Sequence, residues 1–150
     1  MNDFLLPFLI SNSIALLLLI FSFRWTVVAK YLWAFIFLAA GGINLFFSQS
    51  KPDIYAESFG PHAIDLYQRF IYGFFSQYTE FMVLTIAIGQ LLVGILLLCH
   101  NNLFRLGIFG GTVFLLAIAP LGMGSAFPAT LLGAISLVVL LQQTKYAEED

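Results

Sequence analysis

The sequence predicts an all-α integral membrane protein, a helix bundle of several spans with a short amphipathic helix on one surface. Of its 150 residues, 61% are hydrophobic and only 9% are charged. A soluble domain of this length needs many more polar side chains to cover its surface. The apolar residues also form long runs, close to the ~20 helical residues that cross a bilayer core. Helices are expected because open strands leave backbone groups unpaired in lipid.

Five apolar runs approach this length, and together they predict a single membrane domain over residues 1–150. The predicted spans are residues 4–23, 27–47, 81–98, 103–121 and 127–141. The last span is the shortest, and it begins near Pro128, a residue that suits the first turn of a helix. A long connector, 48–79, separates spans two and three, and a polar tail, 142–150, follows span five.

The basic residues predict the orientation of the five spans. Four of them fall on one side of the membrane and two on the other: Arg24, Lys30, Arg105 and Lys145 against Lys51 and Arg69. Basic residues concentrate on the cytoplasmic side, so we expect the N-terminus outside and the C-terminus in the cytoplasm of a bacterial inner membrane. The short connector 122–126 makes spans four and five antiparallel neighbours.

Within the long connector, residues 61–78 are predicted to form an external amphipathic helix. Large apolar side chains recur every three or four residues, at Leu66, Tyr67, Phe70, Phe74 and Tyr78. The polar side chains fall on the opposite face, at Asp65, Gln68, Arg69, Tyr72 and Ser76. Such a helix lies in the membrane plane or across the mouth of the bundle, as a lid or as an anchor. After it, Thr79 is expected to cap span three, with Glu80 in the first turn.

Polar residues gather at the external end of the predicted bundle. We therefore propose a ligand-binding outer mouth formed by Asn44, Tyr55, Arg69, Tyr72 and Glu80. For Glu80, its favourable position at a helix N-terminus is an alternative explanation.

Two amides lie deeper in the spans, Asn12 and Gln90. Amides inside membrane helices usually form hydrogen bonds between helices, so a structural role is expected for both.

Small residues predict where helices pack closely. Gly107 and Gly111 form a G-x-x-x-G pair on span four, and Ala129 and Gly133 form a similar pair on span five. Small side chains at this spacing allow helix backbones to approach each other. The general abundance of glycine in membrane spans is the alternative explanation.

Several function classes are disfavoured. The charge of -2 is spread over short connectors, which argues against a nucleic-acid partner. The middles of the predicted spans contain no Asp, Glu, Lys, Arg or His, which disfavours ion-coupled transport. His62 and His100 are expected on opposite sides of the membrane, so they do not form a joint metal or haem site. Catalytic motifs are also missing, and Cys99 next to His100 has no third group beside it.

Four segments carry a resemblance to a known family, together with Pro52 and Tyr55 just after the first of them. The segments are WAFIFLAAGGINLFF (33–47), IAIGQLLVGILLL (86–98), LGIFGGTVFLLAIAPLG (106–122) and FPATLLGAISLVVLLQ (127–142). In this order they resemble the DoxX-like family of small bacterial membrane proteins, over residues 30–142. The resemblance implies a four-helix membrane core, and some relatives act as a subunit of a quinone-reducing thiosulfate oxidoreductase. The chain departs from the family by its extra N-terminal span and by Gln90, where relatives often carry an acid. The second departure weakens a transfer of redox chemistry.

Two functions follow as expectations. The first is a non-enzymatic, multi-pass membrane protein that needs no cofactor and is compatible with a homo-oligomer. It acts either as a subunit that docks a membrane or periplasmic protein or as a binder of a lipid-like molecule at its outer mouth. The alternative is a quinone-interacting subunit of a redox enzyme. Its quinone head would lie between Asn44, Arg69, Tyr72 and Glu80, with Tyr67 and Phe74 against the ring or tail.

The predicted topology is tested with accessibility tags. A tag beside Asn2 should react from outside the cell, and one beside Asp150 only after the cytoplasm is opened, because five spans place the ends on opposite sides. Labelling of both tags from the same side would mean an even number of spans.

Overall fold

The computed structural model describes residues 5–51 and 53–149, with side-chain surroundings up to residue 144, and it confirms the all-α class. Phe4 and Pro52, which figured in the sequence analysis, lie outside the described residues. The helices are α1 (Leu5–Arg24), α2 (Thr26–Ser50), α3 (Ile54–Phe59), α4 (Asp65–Phe70), α5 (Thr79–Leu98), α6 (Asn101–Ile118) and α7 (Ala129–Glu149). Two 3-10 segments, Gly60–His62 and Ala119–Ser125, and one π-helical turn, Ile71–Phe75, connect them.

The long helices carry the surface of a membrane protein. Helices α1, α2 and α5, and α6 with its 3-10 extension, are long and apolar enough to cross a bilayer. Helix α7 carries a shorter apolar part, Ala129–Thr144. Large side chains such as Phe35, Phe81 and Phe109 are about two-thirds exposed, at 69%, 70% and 67%. Exposed apolar surface on this scale is stable only against lipid or another protein. The chain is therefore a multi-pass membrane protein.

The bundle has a four-helix centre with α1 on its outside. Helix α2 packs on α5, α5 on α6, and α6 on α7, and α2 also touches α7. Helix α1 lies against α7 and α2. Buried side chains of the four central helices fill the space between them, among them Trp33, Phe37, Leu97, Ile108 and Leu137. The adjacency of α6 and α7 agrees with their short connector.

The closest helix contact joins α2 and α5. A Cβ atom on Gly41 would lie 2.8 Å from Leu91 Cγ and 3.0 Å from the Ala87 carbonyl oxygen. A Cβ atom on Gly94 would lie 2.6 Å from Leu38 Cγ. Each glycine therefore admits the opposite helix where a larger residue would hold it away. Neither glycine was among the small residues predicted to pack closely.

The small residues singled out on α6 and α7 are all buried inside the chain. Gly107 faces the end of α5, where a Cβ atom would lie 2.9 Å from the Leu97 amide nitrogen. Gly111 lies between Phe37 and Leu137, Gly133 receives the ring of Trp33, and Ala129 is buried near the start of α7. In this structure the four small residues serve contacts within one chain.

Two sets of polar contacts tie the helices together outside the α2–α5 contact. The Trp33 indole N–H donates to Ser136 Oγ (3.0 Å), which lies 2.9 Å from Ser22 Oγ, so that α2, α7 and α1 share one buried network. At the α5–α6 turn, Lys30 Nζ donates to the Cys99 carbonyl oxygen (2.6 Å) and lies 4.9 Å from the centre of the Phe104 ring. A cation at this carbonyl complements the negative end of the α5 dipole.

The predicted continuous helix over 61–78 is replaced by shorter pieces. Ala63 and Ile64 are extended, so α4 begins at Asp65 and passes into the π-helical turn. The side chains that turn inward are Ile71 and Phe75, while Leu66, Phe70, Phe74 and Tyr78 remain exposed. Ile71 and Phe75 therefore form a buried face of this segment, which the predicted helix with one apolar and one polar face did not include.

Helix boundaries differ from the prediction at three other places. Thr79 does not cap α5, because its hydroxyl donates to the Phe75 carbonyl oxygen (3.0 Å) of the preceding turn. Helix α7 begins at Ala129 and continues past residue 141 to Glu149. The added residues, 142–149, are mainly good helix formers. The α6–α7 connector is a 3-10 segment from Ala119 followed by a turn at Ala126.

Neighbouring glycines on α2 provide a matched test of the α2–α5 contact. Gly41→Leu should lower stability by about 1–3 kcal/mol, because the added side chain meets the backbone of α5. Gly42→Leu should change it by less than about 0.5 kcal/mol, since Gly42 faces open space. Thermal unfolding in detergent measures both, and equal effects would contradict the described contact.

Candidate functional site

A cap covers one end of the bundle. We use this name for residues 54–75, which comprise α3, the first 3-10 segment, α4 and the π-helical turn. The Ile64 amide donates to the Pro120 carbonyl oxygen (3.1 Å), and Gly124 packs against Phe59. Gly122, at φ 65°, passes against the His62 carbonyl group, a conformation and a closeness that favour glycine. The cap is therefore held on the α6–α7 connector.

Beneath the cap lies a cavity of about 470 Å³ between α2, α5 and α6. Its walls are almost entirely aromatic and aliphatic. The lining residues are Asn44, Tyr55, Phe59, Tyr67, Phe70, Ile71, Phe75, Met82, Val83, Ile86, Gln90, Phe114, Ala117, Ile118, Leu121, Gly124 and Ser125. No Asp, Glu, Lys, Arg or His occurs among these described lining residues. The cavity is thus an uncharged, mainly apolar space.

Three side chains form a polar cluster in the cavity wall. The Tyr55 hydroxyl donates to Asn44 Oδ1 (2.7 Å), and Asn44 Nδ2 donates to Gln90 Oε1 (2.6 Å). One residue comes from the cap, one from α2 and one from α5. Asn44 therefore links the cap to the α2–α5 contact.

Burial raises the pKa of the Tyr55 phenol above its usual value of 10.0. Removal of water disfavours the phenolate, so the neutral hydroxyl is retained as a donor throughout the physiological pH range. In the folded state its bond to Asn44 should weaken only when the pH rises above 10. The cluster consequently carries no charge under ordinary conditions.

Gln90 lies at the deep end of the cluster. It is 5% exposed, and it stands near the middle of α5, roughly 17 Å along the axis from Thr79 at 1.5 Å per residue. Among the described residues its Nε2 group has no hydrogen-bond acceptor. Among the described residues, two completely buried polar atoms have no hydrogen-bond partner, Thr112 Oγ1 and Thr130 Oγ1. Gln90 Nε2 also lacks a partner but is not one of these completely buried atoms. It is therefore accessible from the cavity that its side chain lines.

The five residues proposed for the outer mouth separate into two groups. Asn44 and Tyr55 line the cavity and bond to each other. Arg69, Tyr72 and Glu80 are exposed and do not line it. Arg69 lies on the outer side of α4, Tyr72 packs over Gly60, and Glu80 occupies the first turn of α5.

The two deeper amides also differ. Asn12 Nδ2 donates to the Phe8 carbonyl oxygen (2.9 Å) of its own helix rather than across a helix contact. Gln90 does bond across helices, to Asn44, and it also lines the cavity.

Most apolar lining residues were overlooked in the sequence. Their spacing did carry a signal, because Met82, Ile86 and Gln90 follow one another at four-residue intervals on α5 and so share one face. Phe114, Ile118 and Leu121 recur similarly on α6 and its extension. An apolar helix face in a membrane protein can contact lipid, protein or a cavity, so the pattern alone could not assign it.

Comparison with known proteins yields no relative: no family model, curated protein or solved structure matches this chain. Nothing in these comparisons identifies a DoxX-like family. The site is therefore interpreted from its own geometry.

The described residues contain no group of three or more His, Cys, Asp or Glu side chains placed to hold a metal ion. The cavity instead offers neutral hydrogen-bonding groups and aromatic surface. This chemistry suits recognition of an uncharged organic molecule.

The polar cluster should show energetic coupling between Asn44 and Gln90. Asn44→Leu leaves Tyr55 and Gln90 without their partners, whereas the double variant with Gln90→Met removes both amides. A double-mutant cycle by thermal unfolding should give a coupling of about 0.6 kcal/mol, and at most about 1.7 kcal/mol, as for hydrogen bonds between membrane helices. Additive effects of the two substitutions would show that the bond contributes nothing.

Proposed function

We propose that this protein binds a lipid-like molecule in the cavity beneath its cap, without performing catalysis. The supporting observation is a cavity of about 470 Å³ inside a membrane bundle, with apolar walls and one polar cluster. Small-molecule sites have volumes of about 300–1,000 Å³ and combine apolar walls with a few polar groups.

The position of the cavity favours a ligand that comes from the membrane. Its lining reaches from the cap down to Gln90, near the middle of α5. A molecule that fills this depth must leave water and enter apolar surroundings, which is favourable only for apolar surface. Lipids and similar amphiphiles fulfil this requirement.

A lateral route to the cavity lies between the cap and α6. The Tyr67 hydroxyl donates to the Ala117 carbonyl oxygen (2.8 Å), and this bond is exposed. Both residues also line the cavity. We propose that a membrane molecule enters by separating this contact, and that it reaches the interior without passing through the aqueous phase.

A quinone-interacting redox subunit is the alternative, and the sequence suggested four residues for its head group. Arg69, Tyr72 and Glu80 do not line the cavity, so only Asn44 of that set is available there. A quinone would instead meet Tyr55, Asn44 and Gln90, as any neutral membrane molecule would.

A docked partner protein is the other alternative, and its contact surface would be the exposed row Leu66, Phe70, Phe74 and Tyr78.

Two positions on α5 test the binding proposal. Ile86→Trp should expel the ligand, because Ile86 lines the cavity and the larger ring would occupy it. Ile88→Trp makes the same change on the exposed side of the helix and should leave binding intact. Each protein is purified in mild detergent, and its bound lipids are extracted and quantified by mass spectrometry.

The parent and Ile88→Trp proteins should carry the same enriched molecule, in near-stoichiometric amount, and Ile86→Trp should carry little. A quinone mass would favour the redox alternative. The same lipid profile in all three proteins would contradict the proposal.

A further inference from the structure

We infer that the ligand of this cavity presents an uncharged hydrogen-bond acceptor to the Gln90 side-chain amide, near the middle of the membrane. This inference rests on the proposed function and specifies the chemical class of the ligand. The supporting observation is that Gln90 is 95% buried (5% exposed) yet lines the cavity with an amide donor that has no acceptor among the described residues.

The direction of the hydrogen bonds determines which group of Gln90 is free. Asn44 uses its Oδ1 to accept from the Tyr55 hydroxyl, so it turns its Nδ2 donor toward α5. Gln90 accepts this bond with its Oε1. The two N–H donors of its Nε2 therefore have no acceptor in the described part of the chain. A carboxamide nitrogen donates and does not accept. The complementary ligand atom is therefore an acceptor, such as a carbonyl, ether or hydroxyl oxygen.

The ligand group must also be neutral. The described lining residues include no Asp, Glu, Lys, Arg or His that could balance a charge near Gln90, and burial favours the neutral form of Tyr55. An unpaired ion at this depth is strongly disfavoured even when the bilayer deforms around it. Anionic lipids and ammonium head groups are therefore disfavoured, whereas a neutral carbonyl loses little when its hydrogen bond to water is replaced by one to Gln90.

The arrangement also orients the ligand. Gln90 lies deep, whereas Phe59, Phe70 and Phe75 form the wall on the cap side. The acceptor group therefore enters the bundle and the apolar part lies against the aromatic cap. This is the reverse of the usual arrangement in a leaflet, where the polar head faces water.

Three probes with one chain length test the inference: 2-octadecanone, which has a carbonyl acceptor, 1-octadecene, which has none, and stearate at pH 9, which is an anion. They compete for the purified protein in nanodiscs, and retained probe is quantified by mass spectrometry. The ketone should bind about 3- to 10-fold more tightly than the alkene, which corresponds to one neutral hydrogen bond. Stearate should be retained no more than in protein-free nanodiscs.

The infrared band of the ketone provides a direct readout. The difference between the spectra recorded with the unlabelled ketone and with the same ketone labelled with ¹³C at its carbonyl isolates this band from the protein and lipid absorption. In the parent protein the bound band should move to lower frequency than in protein-free nanodiscs, because the carbonyl accepts a hydrogen bond. This measurement requires no variant, so it stands even if a substitution at Gln90 prevents folding.

Substitutions identify the donor. Gln90→Met keeps the side-chain length and removes the carboxamide, so it should abolish the preference for ketone over alkene. Thr85→Val removes a polar group from the lipid-facing side of the same helix, where Thr85 Oγ1 bonds to its own backbone at Phe81, and should preserve the preference. Equal binding of ketone and alkene to the parent, with no band shift, would overturn this inference and leave lipid binding intact. Failure of both probes to bind would overturn the proposed function as well.

Discussion

The close contact between α2 and α5 is the constraint on which the candidate site depends. Asn44 lies one turn after Gly41 on α2, and Gln90 lies one turn before Gly94 on α5. Because the two glycines admit the opposite helix, the amides come within 2.6 Å of each other. Larger residues at positions 41 and 94 would separate the helices, break this bond and change the wall of the cavity. The helix packing and the polar cluster in the cavity wall are therefore properties of the same contact.

Lipid surroundings explain how the remaining polar groups are used. Burial of apolar surface between helices gains little when the outside is equally apolar, so small residues and polar contacts carry much of the specificity. The Trp33–Ser136–Ser22 network and the Lys30–Cys99 bond connect neighbouring helices. The Tyr55–Asn44–Gln90 cluster differs from both, since it also borders a cavity and ends in a donor without an acceptor among the described residues. That difference is the basis of the proposed binding function.

Sequence reasoning predicted the membrane bundle well and the site only in part. Length and hydropathy were sufficient for α1, α2, α5 and α6, because the bilayer itself imposes them. Asn44 and Tyr55 were found as polar groups at the predicted external end, but Arg69, Tyr72 and Glu80 were grouped with them although they point elsewhere. Distance along the chain does not reveal the rotation of a helix about its axis. Gln90 was assigned a structural bond alone, since only the three-dimensional structure shows the cavity beside it. The single helix predicted over 61–78 does not form, because Ala63 and Ile64 are extended and interrupt it.

A cryo-electron microscopy map of the protein in native-lipid nanodiscs would show whether the bundle holds a neutral lipid-like molecule against Gln90. We expect elongated density beneath the cap, with its polar end within about 3.2 Å of Gln90 Nε2, the upper distance of an N–H···O bond. A cavity closed by inward movement of the cap, or density that ends at the cap without reaching Gln90, would contradict it.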